Sequence, residues 1–170
     1  MNYKKTIQLF SKEDSNSFKS LKNEADLSPR KRTLKKLHTS HKEELHTMIN
    51  VLKKGTYIRP HKHYIKTHSG EIIKKGESFL ALEGEGKILL FDDEGALVEV
   101  IPMKDTEKSM VWIPANVYHT IVAQSDYLII FENKTGPWKD NEDKFFHANF
   151  PDENYINEHI VKEWEKTKMI

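Results

Sequence analysis

From Leu45 onward the apolar residues gather into short runs divided by turn residues, at about 45–52, 56–63, 78–83, 86–91, 96–101, 110–113, 118–123 and 127–132. Eight runs of strand length at this spacing predict a sandwich or barrel. Asp92-Asp93-Glu94-Gly95 predicts the turn of a hairpin between Lys87–Phe91 and Ala96–Val100. Residues 64–76 read as a small inserted hairpin, with Tyr64–Thr67 and Ile72–Lys75 flanking His68-Ser69-Gly70-Glu71. Upstream, Thr6–Phe10 fits an edge or exchanged strand, and Asp14-Ser15 fits the cap of a helix running to about Ala25, ahead of Pro29. Downstream, Asp152 is placed to cap a terminal helix in which Ile156, Ile160 and Trp164 recur every fourth residue and Tyr155 and His159 widen the same face. The pattern describes one mainly β domain: an N-terminal arm over 1–44, a core over 45–135 and a C-terminal extension over 136–170.

Composition supports a globular chain, because 37% hydrophobic with 31% charged in 170 residues is enough to bury a core. No run of eighteen apolar residues occurs, and no long apolar stretch follows Met1–Lys5, so the expectation is a cytoplasmic protein without membrane insertion. Zero cysteines exclude disulfide scaffolds, thiolate catalysis and Cys-ligated zinc, so any metal must rest on N and O ligands. Charge is uneven: residues 1–42 hold eleven Lys/Arg against four Asp/Glu, and the remainder holds sixteen against twenty-two. The basic arm lacks a nucleic-acid module, so it reads as a solvated or intersubunit segment and no nucleic-acid partner is expected. Sheet edges that need covering favour a homodimer.

Gly55, five residues, then His61-Lys62-His63 carries the clearest chemistry. If 57–63 is a regular strand, Tyr57, Arg59, His61 and His63 share one face. Two imidazoles on one side of a strand can close on a divalent ion, and a carboxylate and a further histidine follow at Glu77 and His119. On that face Arg59 would point inward, where its guanidinium could hold a carboxylate or phosphate, or could form an ion pair with a glutamate such as Glu132.

Gly55, His61, His63, Glu77 and Gly84 together resemble the first motif of the cupins, and Pro114 and His119 the second, with Asn116 where the second motif carries glycine. Asn tolerates the left-handed turn that glycine would supply. The thirteen residues between His63 and Glu77 exceed the family's usual three or four, which implies an insertion of about nine residues. A closer resemblance, over roughly 28–150, is to the WbuC-type cupins, small metalloproteins associated with surface-polysaccharide gene clusters. Its carriers are Ser28–Arg32, Leu37-His38-x-Ser40-His41, Gly55–His63, Glu77–Gly84, Trp112–Pro114 with His119-Thr120, and Phe131-Glu132 with Gly136-Pro137.

The resemblance implies a cupin jelly roll in which His61, His63, Glu77 and His119 hold a divalent metal, with Glu71 as the rival carboxylate. Three imidazoles and one carboxylate suit Fe, Mn, Co or Ni, with Zn and Cu also possible. It further implies action on a small anionic metabolite such as a sugar or nucleotide-sugar, of dioxygenase or isomerase type. A non-catalytic metal or ligand-binding cupin and a metal-free sugar isomerase or epimerase stay open, because one fold hosts many chemistries. Arg59, Tyr57 and Lys75 are the candidate substrate-binding residues. Glu132 is either a general base or a salt-bridged strand end. His38, His41 and His46 read as polar surface or ligand-supporting groups, and His68 as an exposed hairpin tip. His147 and His159 carry no ligand pattern, and Phe79, Trp112 and Phe131 are expected in the core.

Overall fold

The computed structural model describes residues 15–66, 69–70, 72–138, 143–154 and 157–168. The elements are α1 (Ser15–Leu27), β1 (Arg32–Lys36), β2 (Leu45–Lys53), β3 (His61–Lys62), β4 (Tyr64–Lys66), β5 (Ile72–Lys74), β6 (Glu77–Glu83), β7 (Glu85–Phe91), β8 (Leu97–Lys104), β9 (Met110–Ile113), β10 (Tyr118–Ala123), β11 (Tyr127–Thr135), β12 (Phe145–Phe146) and α2 (Glu158–Lys166). One antiparallel sheet runs β1-β2-β11-β6-β9, a second runs β12-β3-β10-β7-β8, and β4-β5 pair separately as the inserted hairpin. This is the mainly β jelly-roll sandwich with two helices that the sequence pattern and motifs predict.

Helices cover both outer faces, which explains why several strands read as continuous apolar runs rather than alternating ones. Between the sheets lie Leu52, Phe79, Ala81, Leu128 and Ile130 from the first and Ile88, Met103 and Ile121 from the second. Their neighbours in sequence face outward: Ile49, Val51 and Ile129 meet Leu21 and Ala25 of α1. On the opposite side Leu89, Phe91 and Val122 meet Val161 and Trp164 of α2. Buried Lys87 donates to the carbonyls of Glu165 (2.9 Å) and Thr167 (2.7 Å), fastening the C-terminal end of α2 to β7.

Several expectations are corrected. The run 56–63 is not one strand, because only His61 and Lys62 join a ladder. Ile58 and His61 both point inward although they are three residues apart, so the chain slips one phase at Arg59-Pro60, where proline has no N–H to pair. Pairing also extends beyond the 45–135 core, since β1 adds to β2 and β12 adds to β3. Asp152 does not cap α2: its carboxylate accepts the Asn154 N–H at 2.8 Å, and Asn157 occupies the cap position. Trp112 is 68% exposed, because it points outward from edge strand β9, beyond the area that α1 covers. Phe79 is buried, and Phe131 is half-buried against the α1 side. Thr6–Phe10, Asp14, Tyr155 and Ile156 lie outside the described residues, whereas His159 is exposed.

Gly84 turns the chain from β6 to β7 with φ +83°, and a Cβ there would collide with the carbonyl oxygen of Tyr127. Gly84→Ala is therefore expected to lower unfolding free energy by about 2–4 kcal/mol in denaturant titrations, since backbone strain and overpacking add.

Candidate metal centre

The interior changes character along the first sheet. On β11 the inward positions run Leu128, Ile130, Glu132, Lys134, and opposite them on β6 stand Ala81, Phe79 and Glu77. One end of the sandwich is an apolar core and the other a polar chamber. Across the chamber His61 of β3 pairs directly with His119 of β10, and His63 follows just past the end of β3. The loop carrying the second motif is fixed there by the Asn116 N–H, which donates to the His63 carbonyl at 3.3 Å. Asn116 adopts φ +65°, the left-handed geometry expected of it.

His61, His63, Glu77 and His119 are all buried, and one ligand atom from each lies within 4.8 Å of the others. The Nδ1 of each imidazole faces a backbone carbonyl: Arg59 for His61 (2.9 Å), Asp143 for His63 (2.6 Å) and Val117 for His119 (3.0 Å). A carbonyl can only accept, so each Nδ1 carries a hydrogen and Nε2 is the ring atom left to face the cluster. The Nε2 atoms of His63 and His119 stand 3.2 and 3.0 Å from the two oxygens of Glu77. Glu77 Oε2 has no hydrogen-bond donor, although it is buried. Four buried ligand atoms this close together, beside an orphaned carboxylate oxygen, are a donor set a divalent cation satisfies, so these four residues fit a metal ion.

The charges agree. Burial holds His61 well below its ordinary pKa, helped by the nearby Lys144 and by the other two imidazoles, so its ring stays neutral. Burial alone would raise Glu77, but the His63 and His119 rings and Lys134 outweigh it and hold the carboxyl down to about 2. Asp143 supports the site from behind. Its carboxylate accepts Lys75 Nζ and Lys134 Nζ (3.0 Å) and lies 3.4 Å from His63 Nδ1, contacts that keep it well below the usual carboxylate range despite burial.

Lys75 is buried, bonded to Asp143 and to the Pro137 carbonyl. Arg59 donates from Nε (3.1 Å) and Nη2 (2.9 Å) to the His147 carbonyl, with Nη1 3.9 Å from Asp152. Tyr57 lies on the far side of the second sheet, stacked on Trp164 and donating to the Pro151 carbonyl at 2.9 Å, so the phase slip removes it from the histidine face. Glu132 lies within the chamber and accepts from Asn50 Nδ2 at 2.6 Å. No described cation pairs with it, and burial, then the charge on Glu77, pushes its carboxyl up to about 7. Glu71 and His68 lie outside the described residues. His46 is buried and stacks on His38 at 4.2 Å, apart from the four-residue cluster. His147 is a buried structural group held by the Asp92 carbonyl. Beside the chamber a depression of about 670 Å³ opens between Gly76, Glu77, Trp112, Asn116, Asn133 and Lys134.

Sequence reasoning missed Asn50, Lys134, Asp143 and Lys144. Alternation along β11 carried the signal for Lys134, two residues after Glu132. Asp143 and Lys144 lie in a stretch without periodicity.

A jelly roll thus carries three inward histidines and one glutamate at its polar end, a group that could hold a metal ion. The chain belongs to the family described as Domain of unknown function (DUF6016), whose signature matches residues 14–103. No curated protein matches it in sequence. Among solved structures it is similar to the capsular polysaccharide assembling protein CapF from Staphylococcus aureus, at 18% identity over 70% of this chain and 30% of that chain, TM-score 0.56. The pro-11S globulin of pumpkin is 17% identical over 70% of this chain and 29% of that chain, TM-score 0.51. A cupin 2 conserved barrel domain protein from Leptotrichia buccalis aligns at 21% identity over 64% of this chain and 43% of that chain, TM-score 0.47. The chain thus spans less than a third of the length of CapF and of the globulin, and the likeness to them is one of fold.

The titration of Glu132 is testable in chelator-treated, metal-free protein. A carboxyl near 7 when folded and near 4.5 when unfolded binds its proton more tightly in the folded state. Its stabilisation is present below about 4.5 and lost as pH rises through about 7. His61 and His46, held neutral by burial, act in the opposite sense below their ordinary 6.5. The informative quantity is therefore a difference: the thermal midpoint of Glu132→Gln should gain on wild type as pH rises from 5 to 8. A pH-independent difference would show that Glu132 titrates normally.

Proposed function

We propose that this protein is a metal-dependent cupin that acts on a small anionic metabolite, such as a sugar or nucleotide-sugar intermediate. The observation that carries this reading is the meeting of one ligand atom from each of buried His61, His63, Glu77 and His119 within 4.8 Å, each ring fixed through Nδ1 by a carbonyl. A divalent ion held there, of the Fe, Mn, Co, Ni or Zn class, would supply Lewis-acid polarisation of a bound carbonyl or hydroxyl. The protein supplies the rest. The imidazole–carbonyl bonds hold the ligands in register, and burial excludes bulk water. Glu132, poised near neutrality, takes a proton from the bound molecule or returns one to it at its carboxylate oxygens.

Two further observations support the anionic, polysaccharide-related reading. Lys134 and Lys144 place positive charge around the chamber. CapF, which shares the fold, is named for capsular polysaccharide assembly. That agrees with the WbuC-type resemblance carried by the Gly55–His63 and Glu77–Gly84 strings.

Elemental analysis of protein purified without added metal or chelator tests the reading. Wild type should hold near-stoichiometric divalent metal, and His61→Ala/His63→Ala should hold roughly tenfold less or lower, because two of four ligands are gone. Glu77→Gln should also lose metal, and Glu71→Gln should retain it. A wild type that neither contains metal nor takes it up would sink the proposal, and the opposite ranking of the two glutamine variants would move the carboxylate ligand into the inserted hairpin.

A further inference from the structure

The cations around the chamber are not equivalent. Lys75 and Lys134 neutralise Asp143. Arg59 is held by the His147 carbonyl, and Lys62 points outward to Asp93 at 3.1 Å and to the Tyr118 ring. Lys144 differs from all four: among the described residues its ammonium has no hydrogen bond or ion pair, and its recorded contact is the Phe146 ring, 5.3 Å from the centroid.

Its position on the chain aims it at the metal centre. In the β3–β12 ladder Phe145 pairs with Lys62 and Phe146 with His61. Phe145 stacks outside on Tyr64 at 3.7 Å, so alternation turns Lys144 and Phe146 to the face that carries His61 and His63. The Phe146 ring lies 6.2 Å from that of buried His61 and is itself 43% exposed, so it stands between the cluster and the surface. A partly buried ammonium without a counter-ion is costly, and it becomes favourable when an anion pairs with it. Burial lowers the pKa of Lys144, outweighing the opposite pull of the Glu153, Glu77 and Glu132 carboxylates, none of which reaches it in an ion pair.

We infer that Lys144 binds the oxyanion, a carboxylate or phosphate group, of the small molecule that enters the chamber beside His61 and His63. The inference rests on the functional reading above and deepens it, giving Lys144 the role that the sequence pattern offered to Arg59 and Lys75. The ammonium is a point charge that accepts either oxyanion without demanding planar two-point geometry.

Calorimetric titration with inorganic phosphate and, separately, with acetate tests this on protein of measured metal content. Wild type should bind at least one of the two, and the tighter arm identifies the oxyanion class. Lys144→Met should weaken that binding at least ~10-fold with unchanged metal content and thermal midpoint. Lys144→Arg should restore it to within about threefold, and Lys62→Met, which removes an outward cation, should leave it unchanged. Equal affinity in Lys144→Met and wild type, or no binding of either anion by wild type, overturns the inference. The metal reading fails separately: a wild type without metal overturns that reading, and the phosphate and acetate titrations still report on Lys144.

Discussion

Three backbone carbonyls govern what the interior of this barrel can do. By accepting from Nδ1 of His61, His63 and His119, the carbonyls of Arg59, Asp143 and Val117 fix both the tautomer and the tilt of each ring. With them, the buried carboxylate stands among three oriented imidazoles, a set that could hold a cation. Each carbonyl comes from a different segment: the approach to β3, the C-terminal extension before β12, and the turn before β10. The site is thus assembled only when the extension has paired its strand onto the sheet.

The extension also balances the charge. Asp143 lies between Lys75 from the inserted hairpin and Lys134 from β11, so the hairpin, β11 and the extension meet on one buried carboxylate. Such a cluster is expensive to bury piecemeal and becomes tolerable only when every partner is present. It leaves Glu132 facing Glu77 with one amide donor, and that isolation holds a glutamic acid near neutrality in the chamber.

Much of the fold was legible in the apolar runs. The strands from 77 to 132, the Asp92–Gly95 turn and the N-terminal helix follow from periodicity and turn residues that act locally. The four residues that could hold a metal were legible for a different reason: their resemblance to the cupin motifs, with Asn116 taking the left-handed turn. Strand alternation failed at Pro60, where an unpaired proline shifts the phase and sends Tyr57 and Arg59 away from the histidine face. It failed also for Trp112, whose exposure depends on where α1 ends across the sheet and not on its own strand.

What the sequence by itself determined was a mainly β sandwich with two helices and a set of four ligand types, because periodicity and short motifs are written in neighbouring residues. Tertiary structure decided which cations face the chamber and which are neutralised. Lys75 and Lys144 are both lysines without motif, and only the pairing of β12 with β3 and the burial of Asp143 separate a structural ammonium from an unpaired one. Electrostatic partnership is set by distance in space, and Lys75 meets Asp143 across 68 positions of chain.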